Sequence, residues 1–572
     1  MLRPVKWYQI ASTSVINKND VEMKKWPIHA KKLGRIDLLA VEELDGGDCT
    51  KQEWAYERSW LSDETKYEAV PTTDASNTPR ARYRATWIKR LLECGVIEAT
   101  TKEKVRGHVK MFVVPEIVKQ RFRSIKHTAS INVHCGRETL RHCVFPSKIE
   151  VCEAVHAGDW FIALDFAAYY DQFELSHEVS NRMCFAHNGK LYKLRTLPMG
   201  QRHAVEIANA ATQRVLDFPK KSNKTMSIID NVIFVGDKEA VISDAYNFIQ
   251  RCKAVNATLN EVDTTTATMN DVAALAQQSG DWAGVHFDLR TKSVKLTEKS
   301  VNKTKTSWSN QTLWSWRDYA AHMGLLFWAW RILDISVAEF FDVLRFNSQL
   351  GAFLTSRQPP QRADGSYPKN RWWDVPAQLP QHVLTVLAKW TQQVLLNERR
   401  VVQKKTTEDL WIEVDSSAIG YGYVSLNRNT QELFSWGAAW DGGDIRIHGG
   451  NLKKSTYSEP LGLRRCIRHA LARNPGVRQI AVGTDNTVTE ASYKRGFNSH
   501  SFHINRQVML HEREFPSNTF RFRFVYVPGV EMLGDAPSRG QINCNVNRGQ
   551  TIHMLRRHLG DNDAINAINV QR

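Results

Sequence analysis

The chain has 572 residues, a formal charge of +17 and a pI near 9.4, long enough for several domains with substantial cores. That charge favours a polyanionic partner, without separating nucleic acid from an anionic membrane surface. Nine cysteines are scattered with no CxxC pair, which speaks against a disulfide framework or zinc knuckle and for a reducing intracellular compartment, cytoplasmic or nuclear.

In chain order, Met1 to Asp20 lacks the apolar core of a secretory signal. Residues 1–80 mix charges with isolated tryptophans (Trp7, Trp26, Trp54, Trp60) and show no sustained period; they read as an N-terminal extension of unassigned role. From Trp87, residues Ile88, Leu91 and Leu92 mark a helical face that Gly95 can terminate. Apolar runs at Val109–Pro115, Phe161–Phe166 and Met226–Val235 read as strands. About 300 to 395 is mostly helical, interrupted by a Pro-, Arg- and Gly-containing loop, Gln358–Arg371. Within it Met323–Phe341 is the greasiest stretch, but Arg331, Asp334 and Glu339 make it a buried helix rather than a membrane span. Glu398–Thr407 reads as a linker, Leu410 to about Arg539 as a new α/β pattern, and the polar, basic tail from Gln541 as loosely held.

Two sets of carboxylates carry the chemistry. Phe161–Asp165 is an apolar strand ending in an acid, and Ile228–Val235 is two apolar segments around a polar dipeptide, a hairpin with Asp230-Asn231 at its tip. A tip of that kind can bring Asp230 to Asp165. In the second half, Leu410, Ile412 and Val414 alternate with a face that carries Asp415. Glu459 opens a helical stretch, Val477–Gly483 is a strand delivering Asp485, and Asp535 begins the last helix. Taken singly, each acid is an ordinary surface charge or helix cap; four acids from separate elements could converge on a pair of metals that cut a phosphodiester with activated water.

The ordered motifs of residues 87 to about 300 resemble a retroelement reverse transcriptase. Trp87–Glu98 is similar to the entry helix of the fingers, and Phe112–Pro115, Arg121–Ile125 and Ile131-Asn132 to its fingers strands. Leu197-Pro-Met-Gly200 is similar to the loop that positions template and nucleotide, and Trp282–Phe287 to the primer grip. The resemblance implies that Arg123, with Arg121 or Lys119, contacts the triphosphate and that Tyr170 screens out ribose 2′-hydroxyls. It assigns Met199 and Gly200 to nucleotide positioning and Asp165 and Asp230 to metal binding. Family members usually carry two adjacent aspartates at the hairpin tip after an aromatic residue, where this chain has Ile228 and Asp230-Asn231; the lost charge implies weaker metal affinity or a shift toward manganese. His127 and Ala129 also replace charged residues usual in the fingers.

Residues 410–540 resemble a ribonuclease H domain through Val414-Asp415-Ser-Ser, Tyr457-Ser-Glu459, Gly483-Thr-Asp485-Asn486 and Val527-Pro-Gly529 through Gly534–Arg539. The Thr-Asp-Asn and Asp-Ala-Pro-Ser-Arg pieces are most similar to tyrosine-recombinase retrotransposons, the DIRS-like group and trypanosomatid VIPER elements. The mobile histidine of some relatives has no match. The resemblance implies an α+β and α/β multidomain chain: extension (1–80), right-hand fingers and palm (81–300), helical thumb and connection (301–405), ribonuclease H fold (406–540) and tail (541–572). It implies RNA- and DNA-templated DNA synthesis from dNTPs and hydrolysis of RNA in RNA–DNA hybrids, with two Mg2+ ions per active site and Mn2+ as the alternative. Partners would be an RNA template, a DNA or RNA primer, the hybrid and other retroelement-encoded proteins, with no membrane. Two alternatives stand beside it: a non-catalytic nucleic-acid scaffold derived from such an enzyme, and a ribonuclease H with a degenerate polymerase half.

Overall fold

The computed structural model describes residues 25–67, 78–116, 119–132, 135, 143–360, 370–541 and 547–560. Met1–Asp20 with Trp7, most of the loop at 358–371, and residues 542–546 and 561–572 of the tail lie outside the described residues. The chain divides into two compact units. One takes the chain up to Pro146 and Trp160–Ala276; the other takes Ser147–Asp159, Gln277–Pro359 and the C-terminal part.

In the first unit, helix α1 (Asp48–Ser62) belongs to the core. Trp54 and Trp60, read as isolated tryptophans of an extension, are 0% and 1% exposed. The buried Arg214 guanidinium donates to the carbonyls of Glu42 and Leu44, tying the segment before α1 to helix α2 (Ala204–Leu216). The described part of residues 1–80 is therefore integral to this unit, and its lack of periodicity reflects burial of a few large rings rather than of one continuous face.

Strands β1 (Lys110–Glu116) and β2 (Arg121–His127) pair antiparallel, and Ile28–His29 joins β2 in parallel. A second sheet has the order β3-β5-β4, with β3 at Trp160–Asp165, β4 at Lys224–Ile228 and β5 at Asn231–Gly236. Here one expectation shifts by a residue. The loop is Ile229-Asp230, closed by the pair Ile228 and Asn231, and Asn231 opens β5 opposite Asp165. Ile229 takes φ = 56°. A left-handed β-branched residue costs about 1–2 kcal/mol. Full burial of an isoleucine side chain is worth about 1.5–3 kcal/mol, and Ile229 packs partly buried against the core while the Thr212 hydroxyl donates to its carbonyl at 2.7 Å. Tertiary packing outweighs the local preference for asparagine at the tip.

From Gln277 the second unit continues with a four-stranded antiparallel sheet: its hairpin Ser279–Trp282 and Val285–Asp288 turns at Ala283-Gly284, Ser293–Leu296 follows, and Arg400–Val401, in the segment read as a linker, closes the edge. Four helices follow: α3 (Glu298–Ser309), α4 (Trp316–Leu333), α5 (Phe341–Ser356) and α6 (Gln381–Leu396). The stretch Met323–Phe341 is not one helix, because α4 stops at Asp334 in left-handed conformation and α5 starts only at Phe341. No helix among the described residues is long and apolar enough to cross a membrane. Trp314 and Trp316 are buried core residues.

A five-stranded sheet with order β8-β7-β6-β9-β10 completes the unit. Its strands are β6 (Leu410–Ser416), β7 (Gly420–Asn427), β8 (Glu432–Ala439), β9 (Gln479–Thr484) and β10 (Arg521–Tyr526). The first three form an antiparallel meander, whereas β9 and β10 run parallel to β6. Helix α7 (Ser455–Arg473) packs on β6, starting four residues before Glu459 rather than at it. Central β6 is buried along its whole length. Leu410, Ile412 and Val414 lie in one core, and Trp411 joins Leu555 and Leu559 in another. Those leucines belong to a C-terminal helix, Arg548–Leu559, in a segment read as loosely held tail. Asp535 opens a four-residue helix, Asp535–Ser538, and not the last one.

Candidate metal centre and a second acidic pair

Three elements deliver carboxylates to one point in the five-stranded domain. Asp415 stands near the end of β6, Glu459 on the second turn of α7, and Asp485 immediately after β9. One ligand oxygen from each lies within 4.8 Å of the other two. Glu459 is 3% exposed and its Oε2 has no hydrogen-bond partner. Burial raises the Glu459 carboxyl well above its usual range, and the charges of Asp415 and Asp485 add to the shift. Asp415 is raised by burial and by Asp535, against a 2.6 Å hydrogen bond from the Ser538 hydroxyl. Asp485 is raised by burial and by Asp415. Clustered acids of this kind repel one another until a cation joins them. An all-oxygen donor set with an orphaned buried oxygen fits a hard divalent ion.

The glycines near this centre are there for close approach. A Cβ on Gly437 would lie 2.0 Å from the Pro537 carbonyl oxygen, and one on Gly422 would lie 2.6 Å from Pro537 backbone. Only a bare backbone lets the Asp535–Ser538 turn sit on the sheet and bring Ser538 to Asp415. Asp535 itself is outside the three-carboxylate group and pairs with Arg539 Nη2 at 2.8 Å, about half exposed. Its charge still reaches Asp415 and Asp485. Asn486 has a structural task, capping helix α8 (Thr487–Arg495) through Thr489 N–H.

In the first unit, Asp165 and Asp230 meet as neighbours at strand ends. Phe166 N–H donates to the Asp230 carbonyl at 3.0 Å, and Asp165 pairs in register with Asn231. Burial, with the Asp230 charge second, pushes Asp165 up to about 6; burial also raises Asp230. Asp165 Oδ1 is buried without a partner, while Oδ2 accepts from Asn260 Nδ2 at 2.8 Å. Asn231 Nδ2 donates to Asp230 Oδ1 at 3.0 Å. Tyr170 is half-buried, and its hydroxyl is pushed up to about 12 by burial, with the Asp230 charge second. Met199 is exposed; Gly200 offers its carbonyl to Asn132 Nδ2 at 2.8 Å, and Asn132 Oδ1 accepts from Arg202 N–H. Arg121 Nε and Arg123 Nη2 both reach Glu116, at 2.5 and 2.9 Å. Their cationic heads are therefore held by a carboxylate in this state.

Several residues at these sites had no motif to announce them. Glu261 accepts the Asp165 N–H at 2.9 Å, and Thr212 bridges the Ile229 carbonyl and the Tyr169 hydroxyl. Glu413, wholly buried two residues before Asp415, accepts from Leu533 N–H and faces His558. For Glu413 a signal existed: a charge inside an otherwise apolar central strand demands a partner.

No protein-family model matches the chain, and no curated protein does. Among solved structures it is similar to the foamy viral protease-reverse transcriptase dRH in complex with double-stranded DNA. The identity is 10% and the TM-score 0.42, over 91% of this chain and 84% of that one. The foamy viral protease-reverse transcriptase in complex with double-stranded DNA follows at 10% and 0.41, over 90% and 98%. The same protein with an RNA/DNA hybrid gives 10% and 0.40, over 91% and 64%.

Proposed function

We propose that the chain is a reverse transcriptase–ribonuclease H of a retrotransposon, most like the DIRS-like and VIPER groups. In this reading the five-stranded domain is a ribonuclease H fold that cuts the RNA strand of RNA–DNA hybrids, and the first unit is the fingers and palm of a polymerase. The observation that carries it is the convergence of Asp415, Glu459 and Asp485 on one point from a strand, a helix and a strand end. Asp535 would complete the set once its Arg539 pairing is exchanged. Divalent ions bound there supply charge that lowers the pKa of water and offsets charge on a phosphodiester. The protein's part is to hold Asp415 through Ser538 and to keep Glu459 dry and free to ligate. In the polymerase half, Asp165 and Asp230 would hold the second pair of ions, Tyr170 would face the sugar, and Arg121 and Arg123 would leave Glu116 for a triphosphate.

Cleavage of a labelled hybrid and primer extension on RNA, each with Mg2+ or Mn2+, test this reading. Asp485→Asn should abolish cleavage and spare extension, and Asp165→Asn the reverse. Loss of both activities in either variant would refute two independent sites. One observation favours a second reading, a ribonuclease H whose polymerase half only clamps the hybrid: Asn231 puts an amide, already bonded to Asp230, where another charge would serve a metal pair. Cleavage without extension under either metal would select it.

A further inference from the structure

The Arg548–Leu559 helix buries Leu555 and Leu559 completely on the sheet face that carries Glu413 and Asp415. His558, 5% exposed at its side chain, stands between two carboxylates. Its Nδ1 is 2.7 Å from Glu413 Oε1 and its Nε2 is 3.0 Å from Glu531 Oε2, where Arg557 also binds. Glu413 Oε2 in turn accepts the Leu533 N–H at 3.1 Å. Glu531 and Leu533 belong to the segment from Pro528 to Ser538, whose ends touch the acidic centre. A Cβ on Gly529 would come 2.9 Å from Asp485 Oδ2, a Cβ on Gly534 would come 2.7 Å from Asp415 N, and Ser538 donates to Asp415.

We infer that His558 is a positioning residue of the nuclease centre, pinning the 528–538 segment through Glu531 and Glu413 so that it sets Asp485 and Asp415 for metal binding. The inference rests on the nuclease reading of that centre. Hydrogen-bonded groups behind metal ligands orient them, and their removal commonly lowers metal affinity or activity about 10- to 100-fold. The helix that carries His558 is thus part of the centre's support.

The test uses the full chain with His558→Ala and His558→Gln. Mn2+ binding is followed by calorimetry with Asp165→Asn present throughout, to silence the other acidic pair. Hybrid cleavage, hybrid affinity in EDTA and thermal unfolding are followed in parallel. The expected result is a 10- to 100-fold loss of Mn2+ affinity and of cleavage in His558→Ala, with hybrid affinity unchanged and the domain still folded at the assay temperature, although its unfolding temperature falls because buried Glu413 loses a partner. His558→Gln should recover part of the loss, since its amide can still donate to one carboxylate. Unchanged Mn2+ affinity in His558→Ala overturns the inference, as does a loss matched by unfolding of the domain in both variants. A parent chain that binds Mn2+ through His558-dependent geometry but cuts no hybrid would sink the nuclease reading and leave the positioning role standing.

Discussion

Replacing Glu459 with glutamine should stabilise the metal-free protein while destroying hybrid cleavage. The three clustered acids lie within 4.8 Å of one another, and two unit charges at that distance repel by about 3.5 kcal/mol at an effective dielectric constant of 20. Glu459 faces two such neighbours from a site 3% exposed, and the Ser416 amide offsets only part of the cost. The protein's own relief is to keep a proton on Glu459, which is why its carboxyl titrates high. A group raised in the folded state contributes no penalty below its unfolded pKa and a growing one as pH climbs through the folded value. Glu459→Gln should therefore be more stable than the parent at pH 8 in EDTA, by about 1–3 kcal/mol allowing for residual protonation. The gap should close toward pH 4. Urea unfolding of the full chain, followed by the fluorescence of its many tryptophans, measures this. Mn2+ should reverse the order, because the parent gains binding energy that the variant forfeits. A variant less stable than the parent at pH 8 in EDTA would refute the reasoning, since Glu459 would then be a satisfied structural group rather than a strained ligand.

Gly437→Val should displace the Asp535–Ser538 turn, since even a Cβ there meets the Pro537 carbonyl at 2.0 Å; cleavage should fall at least tenfold with primer extension unchanged. Thr212→Val removes buried hydrogen bonds to the Ile229 carbonyl and the Tyr169 hydroxyl. It should cost about 1–3 kcal/mol in unfolding free energy and lower extension more than cleavage. Hybrid binding should weaken steeply with salt, as expected for a chain of net charge +17 neutralising several phosphates; a nearly flat plot of log affinity against log salt would count against nucleic acid as the partner.

What could be read from the residues was alternation and order. The strands ending at Asp165 and carrying Asp415, and the acids following in sequence, needed only local patterns. What escaped was decided by distant packing. Asn231 was the natural tip residue on propensity, yet the partly buried Ile229 and the Thr212 hydrogen bond moved the turn by one place. The Arg548–Leu559 helix was hidden by its arginines and histidines, although Ile552, Leu555 and Leu559 keep the spacing of three and four that a buried face requires. Glu413 shares a face with Asp415, and the helix that covers that face lies in a segment whose composition reads as tail. One missed helix thus concealed both a core and the support of the candidate centre.

The two acidic sites differ in charge, and that difference orders their demand for metal. The centre in the five-stranded domain gathers three carboxylates with Asp535 nearby, whereas Asp165 and Asp230, with Glu261 behind them, each spend an oxygen on an asparagine amide, Asn260 and Asn231 respectively. Each carboxylate beside a dication is worth several kcal/mol at an effective dielectric constant near 20, so one fewer should raise the metal requirement by well over an order of magnitude. On titrating Mg2+ from micromolar upward, hybrid cleavage should reach half its maximum at a lower concentration than primer extension. Asn231→Asp should move the extension midpoint down and leave the cleavage midpoint in place. If extension saturates first in the parent chain, carboxylate count does not govern these sites, and Asn231 and Asn260 would have to be counted as aids to metal binding rather than as its weakness.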